Sequence, residues 1–397
     1  MPHSNNLEAK LKEPLRTIAL NEGFDLVAFA APCQPPRAEK LSEWLDNGCH
    51  GDMAWMEKNR EKRLNPNQLM PGLGTIMVLG INYRPPGNPA DYLDDPAALG
   101  ISAYAKNRAY QGVIKKKLKK VIRQIEQRLG RPIQGRLFVD TAPVMEKPLA
   151  AGAGLGWQGK NSLLVTRERG CWLFLAELFL DINLPADPQS NNHCGSCNRC
   201  QLACPTGALD QPWQLDATQC LAYYTIESSG PIPPRYRVAM GNRVFGCDDC
   251  LTICPWNRFA PETTEAHFLP RPALKAPTLL CFAFLDDAQF RATFPQSAIK
   301  RSGRIRFMRN LAVALGNWGS VKALPALGHL FADDHPLIRG HAAWGLARVD
   351  HPEVATLLIE AEKTESDREV LEEIKEALNY MVTSTRTFDS REEGVVE

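Results

Sequence analysis

Apolar positions in the first half of the chain follow two rhythms. Short runs rich in branched and aromatic residues, Phe24 to Ala30, Thr75 to Tyr83, Arg136 to Asp140, Ser162 to Thr166 and Cys171 to Leu180, predict strands. Between them, apolar residues recur every three to four positions over Leu7 to Asn21, Ala38 to Asp46 and Val113 to Leu129, which predicts helices. Gly130 and Pro132 stop the last of these, and Val144 to Ala151 reads as another. Helices layered on a sheet are the expected product, an N-terminal α/β domain over residues 1–185 within a chain of α+β class.

Two proline-bearing polar stretches, Leu184 to Asn192 and Pro255 to Pro277, read as linkers on either side of a cysteine-rich segment, residues 186–262. Beyond them the pattern is wholly helical. Leu311-Ala-Val-Ala-Leu315, His341-Ala-Ala-Trp-Gly-Leu346 and Ile374-Lys-Glu-Ala-Leu378 recur about every 31 residues, which suggests stacked helix pairs. Residues 278–385 are therefore expected to form α-helical HEAT-like repeats, an ordinary helical bundle being the alternative. Residues 386–397 read as a flexible tail.

Composition narrows the setting. With 44% hydrophobic residues in 397, the chain can bury a sizeable core. Met1 to Lys10 is polar, and no run approaches about 18 uninterrupted apolar residues, so a cytoplasmic protein that neither enters nor crosses a membrane is expected. Lys and Arg number 46 against 45 Asp and Glu, so any nucleic-acid partner must be held by local patches. Of twelve cysteines, eight crowd into one stretch, a pattern that favours metal over disulfide in a chain of this size. Cys33, Cys49, Cys171 and Cys281 read as buried small hydrophobes.

Cys194-x2-Cys197-x2-Cys200-x3-Cys204-Pro205 is the bacterial-ferredoxin run, in which three close thiolates grip one four-iron cube and the fourth crosses to another. Cys247-x2-Cys250-x3-Cys254-Pro255 answers it, with Cys220 in between. Interleaving assigns Cys194, Cys197, Cys200 and Cys254 to one [4Fe-4S] cluster and Cys204, Cys220, Cys247 and Cys250 to the second. Structural zinc competes, since paired Cys-x2-Cys also suits zinc, but four cysteines in one run before a proline fit the cube better. A carrier would need only this segment, so the rest of the chain must use the electrons.

Gly154-x-Gly156-x-x-Gly159 matches the dinucleotide fingerprint in spacing only. Helix before and strand after is the wrong context, and a loop letting a large cofactor approach closely is the better reading. Asp140 ends an apolar strand, where its carboxyl can emerge at a site edge and donate a proton beside an apolar cofactor face. A turn or helix-capping aspartate is the plainer reading.

Taken together, Asp140-Thr-Ala-Pro-Val-Met-Glu-Lys147, Ala153-Gly-Leu-Gly-Trp-Gln-Gly-Lys-Asn161, the two cysteine runs, Ala203-Cys-Pro-Thr-Gly-Ala208 and Phe245-Gly-Cys-Asp-Asp-Cys-Leu-Thr-Ile-Cys-Pro-Trp-Asn257 resemble epoxyqueuosine reductases over nearly the whole chain. That resemblance implies a cobalamin-dependent enzyme that reduces epoxyqueuosine at the tRNA wobble position to queuosine, the last step of that modification. It implies cluster-fed cobalt, Asp140 as the proton donor, and a cobalamin-binding N-terminal domain contacting the cofactor through Arg63, Tyr104, Asp140, Gly156, Trp157, Gln158, Gly159, Lys160 and Asn161. The chain departs from the family at Ala109-Tyr110-Gln111, where Asp-Tyr-His is usual, so no role is carried onto the two flanking side chains.

For tRNA, Lys300, Arg301, Arg304, Arg306 and Arg309 at the start of the repeats are the candidate phosphate contacts, with Lys115 to Lys120 a second basic run that could equally be a solvated face. Tyr223 to Glu227 and Pro231 to Arg237 are candidates for the substrate rim. A reducing electron donor is required and a monomer is expected. Two other functions stay open on the residues alone: a dehalogenase-like corrinoid reductase of a small molecule, and an electron carrier or scaffold without a substrate.

Overall fold

The computed structural model describes residues 3–392, with side chains described for residues 10–383. The chain divides into two compact units, each made of three separated segments. The first comprises Met1–Asn88, Asn107–Cys220 and Asp248–Leu269; the second comprises Pro89–Lys106, Leu221–Cys247 and Pro270–Glu397. The stretches that composition separates are thus interleaved by contact, and the cysteine-rich segment contributes to both units.

Unit one is built on a four-stranded sheet of β1 (Leu26–Ala30), β2 (Thr75–Asn82), β3 (Gly135–Phe138) and β4 (Leu173–Leu180), in the order β1-β2-β4-β3. Every pairing is antiparallel. The two central strands are apolar along almost their whole length because both faces are covered: all of β2 and all but the first residue of β4 are buried. On one face pack α1 (His3–Asn21) and α3 (Tyr110–Leu129), which also contact each other. The stripe Ile114, Leu118, Val121 and Ile125 fixes the buried side of α3, and Gly130 closes it with a left-handed φ of 65°. On the other face α4 (Glu146–Gly152) lies over Ile76, Val78, Leu175 and Phe179.

The predicted elements occur, with shifts at their ends. The helix expected over Ala38 to Asp46 spans Ala38–Asp46, here α2, while the strand expected over Arg136 to Asp140 stops at Phe138. Asp140 therefore sits two residues past the strand, in the turn it helps to form. Ser162 to Thr166 shrinks to Leu164–Val165, paired with Trp157–Gln158 as a hairpin.

Unit two is helical. Arg304–Trp318 (α5), Pro336–Leu346 (α6) and Arg368–Glu392 (α7) stack in succession, and these are the helices carrying the repeat seen in the sequence. The contact between α5 and α6 is made by small residues: a Cβ on Gly316 would lie 2.6 Å from Gly345 Cα. A short parallel pairing of Gly100–Ile101 with Arg243–Phe245 joins the other two segments to this unit. Of the expected tail, residues 386–392 continue α7 and 393–397 lie outside the described residues. Among the described residues, no helix is long and apolar enough to cross a membrane.

Candidate active site

Unit one holds a cavity of about 490 Å³ whose wall includes Trp44, Trp55, Arg63, Asp140, Gln158 and Trp213. Its size and its mixture of aromatic and polar groups suit a ligand site. Three of its lining residues carry buried polar atoms with no hydrogen-bond partner: Arg63 Nε, Ser162 Oγ and Trp213 Nε1. Buried donors are normally satisfied, so these point to a polar ligand that completes them.

The backbone sets Asp140 apart. Its φ of 60° is in the left-handed region, which Asp tolerates better than most residues, and Thr141 N–H donates to Val139 O at 2.6 Å across it. Two neighbours hold this tight turn. Asp140 N–H donates to Glu146 Oε1 at 2.7 Å, from the first turn of α4, and Gln111 Nε2 donates to Asp140 Oδ2 at 2.7 Å, from the first turn of α3. Asp140 is thus neither a helix cap nor a strand residue but a carboxyl clamped at the cavity edge. The residues alone assign no role to Gln111 or Glu146, although both lie in stretches that bear on the family resemblance.

Acid groups run inward from this point. Burial pushes the Glu146 carboxyl up to about 7; the negative charge of Asp140 adds to this, while the Asp140 N–H, Lys147 and Arg63 oppose it. Behind it, Glu177 lies in β4 between Val78 and Phe138, fully buried, with neither carboxyl oxygen hydrogen-bonded. Burial, and then the charge of Glu146, holds Glu177 well above the usual carboxylate range. Burial also lowers Arg63, with Glu146 pulling the other way. A single Glu in the apolar run Leu-Phe-Leu-Ala-Glu-Leu-Phe-Leu was the signal that could have exposed Glu177.

The glycine loop connects this cavity to the cysteines. Its glycines answer to internal packing: a Cβ on Gly156 would come within 2.2 Å of Val165 O, and one on Gly159 within 2.7 Å of Asn161 Oδ1. Gln158 lines the cavity, but Lys160 and Asn161 reach to the cysteine loops instead. Lys160 Nζ donates to Gly195 O at 2.8 Å and Cys197 O at 2.9 Å, and Asn161 Nδ2 donates to Cys250 O at 3.0 Å. Trp157 packs edge-on to both His193 and Trp256 at 5.0 Å. Tyr104 belongs to unit two, where it packs near Phe245.

All twelve cysteines are free thiols. Cys200 lies within electrostatic reach of Cys194 and Cys254, and Cys250 within reach of Cys220, Cys204 and Cys200. Cys247 stands where the chain passes from unit two to unit one. The reading of the other four as buried hydrophobes needs correction, since Cys33 and Cys281 are exposed and Cys49 is half-buried. Cys171 is buried, and its thiol lies beside that of Cys254.

In unit two, Lys300, Arg304 and Arg306, together with Arg291 and His335, line a groove of about 600 Å³, and Arg301 is exposed beside Lys300. Arg304 is partly committed, donating to Asp333 Oδ2 at 2.6 Å and to Leu285 O at 2.7 Å. Arg309 is wholly buried, and its guanidinium serves the carbonyls of Tyr224, Ser228 and Gly230, so it is a structural residue and not a phosphate contact. Burial likewise removes Tyr223, Tyr224 and Arg237 from any substrate rim. In the other basic run, Lys117 and Lys120 pair with Glu265 and Glu22, as a solvated helix face would.

Comparisons with known proteins agree with these parts. Residues 63–141 match the family described as epoxyqueuosine reductase QueG, DUF1730; residues 193–257 match a 4Fe-4S double cluster binding domain; residues 297–379 match HEAT repeats. An epoxyqueuosine reductase of Salmonella typhimurium is 41% identical over 85% of this chain and 88% of its own. One of Xanthomonas campestris pv. campestris is 42% identical over 84% and 95%. A solved epoxyqueuosine reductase with an epoxyqueuosine-modified tRNA-Tyr stem loop superposes with a TM-score of 0.86 at 28% identity, covering 94% of this chain and 99% of that one. With its clamped acid, its double-cluster segment and its helical repeats, the chain belongs to the epoxyqueuosine reductase family of oxidoreductases.

Proposed function

We propose that this chain reduces epoxyqueuosine to queuosine in the wobble position of tRNA, with a cobalamin seated in the cavity of unit one and two [4Fe-4S] clusters on the cysteine segment. The observation that carries the reading is the loop 156–161. One of its side chains, Gln158, faces the cavity, while Lys160 and Asn161 hold the backbone of the cysteine loops, so electron supply and reaction site share one short support. The unsatisfied Arg63 Nε, Ser162 Oγ and Trp213 Nε1 fit the amide-bearing rim of a corrin, whose cobalt, when bound, supplies low-potential electrons to a carbon centre.

The neighbourhoods of Cys200 and Cys250 support the interleaved ligand sets, Cys194, Cys197, Cys200 and Cys254 for one cluster and Cys204, Cys220, Cys247 and Cys250 for the other. Asp140 delivers a proton to the oxygen that leaves the base, its carboxyl aimed by Gln111 and its turn held by Glu146. Lys300, Arg301, Arg304 and Arg306 take tRNA phosphates along their groove. The chain acts as a cytoplasmic monomer in three modules, residues 1–185, 186–262 and 278–385, and draws electrons from a separate reductant.

Anaerobic reconstitution with iron, sulfide and cobalamin tests this. The protein should show both cluster and corrin absorption, and Asp140→Asn should keep both while losing turnover. Protein that holds zinc, or that binds no corrin, would overturn the reading.

A further inference from the structure

Removing an epoxide oxygen to leave an alkene breaks two carbon–oxygen bonds and forms one carbon–carbon π bond. The oxygen departs as water, so each turnover consumes two electrons and two protons. The clusters account for the electrons, but one carboxylic acid holds one proton. If both protons pass through Asp140, it is recharged within the turnover, and a ligand filling the cavity takes the place of the water along its wall.

The protein side of Asp140 offers an alternative to solvent. Glu146 lines the same cavity and already binds the Asp140 backbone through Oε1, which leaves Oε2 to carry a proton. Glu177 stands behind it in the sheet, buried and without a hydrogen-bond partner on either oxygen. A carboxyl so placed is neutral, because an ionised one would forfeit its hydration with nothing in exchange. Charged groups act on Glu146 from every element around it: Asp140 from the turn after β3, Arg63 from the helix Arg60–Leu64, Lys147 from its own helix, and Glu177 from β4. Arg37 and Lys40 share the cavity wall.

We propose that Glu146 is an internal proton reserve, which passes its proton to the Asp140 carboxylate, directly or through one water, while the sheet wall that buries a neutral Glu177 behind it offers no counter-charge to a Glu146 carboxylate from that side. This rests on the reading of Asp140 as the acid. Glu146 transfers the proton and ends as a carboxylate, to be reprotonated from solvent once product leaves. Glu177 stays protonated behind it and takes no part in the transfer.

Glu146→Gln is the discriminating variant, because its amide oxygen still accepts the Asp140 N–H while the side chain has no acid proton to give. In the loaded enzyme the parent's kcat should fall as pH rises past about 7, the value to which Glu146 is pushed. The Gln variant should be slower by about ten- to a hundredfold, with that limb gone and KM for tRNA unchanged. Glu146→Asp should restore part of the limb. Infrared difference spectra of the cofactor-free protein give a readout independent of turnover. A protonated-carboxyl band should be lost between about pH 6 and about pH 8 in the parent and not in Glu146→Gln, and a second band, persisting at the higher pH, should be missing from Glu177→Gln. Parent-like kcat with the limb intact, or no such bands, overturns the reserve. Failure of the acid is distinguishable: Asp140→Asn turning over normally would remove the acid itself, whereas a parent-like Glu146→Gln in an Asp140-dependent enzyme removes only the reserve.

Discussion

Replacing Lys160 by Met tests the link between cavity loop and cluster segment while keeping most of the side chain's apolar stem. The ammonium donates to Gly195 O and Cys197 O and lies 5.7 Å from the Trp213 ring centroid. Charge-assisted hydrogen bonds contribute about 1.5–3 kcal/mol each when shielded. The bond to Gly195 O is exposed and the bond to Cys197 O half-buried, so water partly replaces the donor and about 1 kcal/mol each is a fair share, or about 2 kcal/mol for the loop holding Cys194, Cys197 and Cys200. If a chelator reaches iron only when that loop opens, the open population, and with it the rate of iron loss, should rise about thirtyfold. The assay follows bleaching of the cluster absorption under anaerobic chelator, with Lys119→Met on α3 as the control for charge alone. Equal bleaching rates for the parent and Lys160→Met would show that the contact does not restrain the cluster segment.

Three further outcomes follow from the geometry. Gln111→Ala should lower kcat about five- to tenfold with tRNA affinity unchanged, as the Asp140 carboxyl loses the Gln111 amide donor; unchanged kcat would show that Asp140 needs no such aim. Glu146 also makes stability depend on pH. Its folded value of about 7 lies above an unfolded value of about 4.3, so the folded protein binds the proton more tightly, and stability is full below about pH 4 and lost as pH rises to about 7, by on the order of 4 kcal/mol. Thermal unfolding of Glu146→Gln should therefore gain on the parent at about pH 8 and not at about pH 4, and parallel curves at both would refute this. Finally, Lys300→Gln with Arg306→Gln should weaken tRNA binding and flatten its salt dependence at unchanged melting temperature, while Arg309→Met should lower the melting temperature by stranding three carbonyls. The opposite pattern would return Arg309 to the tRNA surface.

What the sequence made legible were features written in local spacing. β2 and β4 are visible because central strands need apolar residues on both faces, and the ferredoxin run because cube geometry constrains neighbouring cysteines. The repeat survived because α5, α6 and α7 bury like residues at like positions. What stayed hidden depends on distant segments meeting. Nothing near Gln111 indicates that α3 begins beside the Asp140 turn, 29 residues away in sequence. Basic residues read alike whether solvated or buried, so Arg309 looked like its neighbour Arg306 until the carbonyls of residues 224–230 closed around it. Spacing alone likewise does not show that Val165 O is what the bare Cα of Gly156 makes room for.

The account's central claim is that electrons from the cysteine segment and protons from the Asp140 side remove an oxygen from a tRNA base. Nucleoside mass analysis of epoxyqueuosine-bearing tRNA, incubated anaerobically with the reconstituted protein and a strong reductant, tests it most directly. The account predicts that the modified nucleoside loses one oxygen and becomes queuosine, at a yield that depends on both cofactors. A fully loaded, reduced protein that leaves epoxyqueuosine unchanged would contradict it.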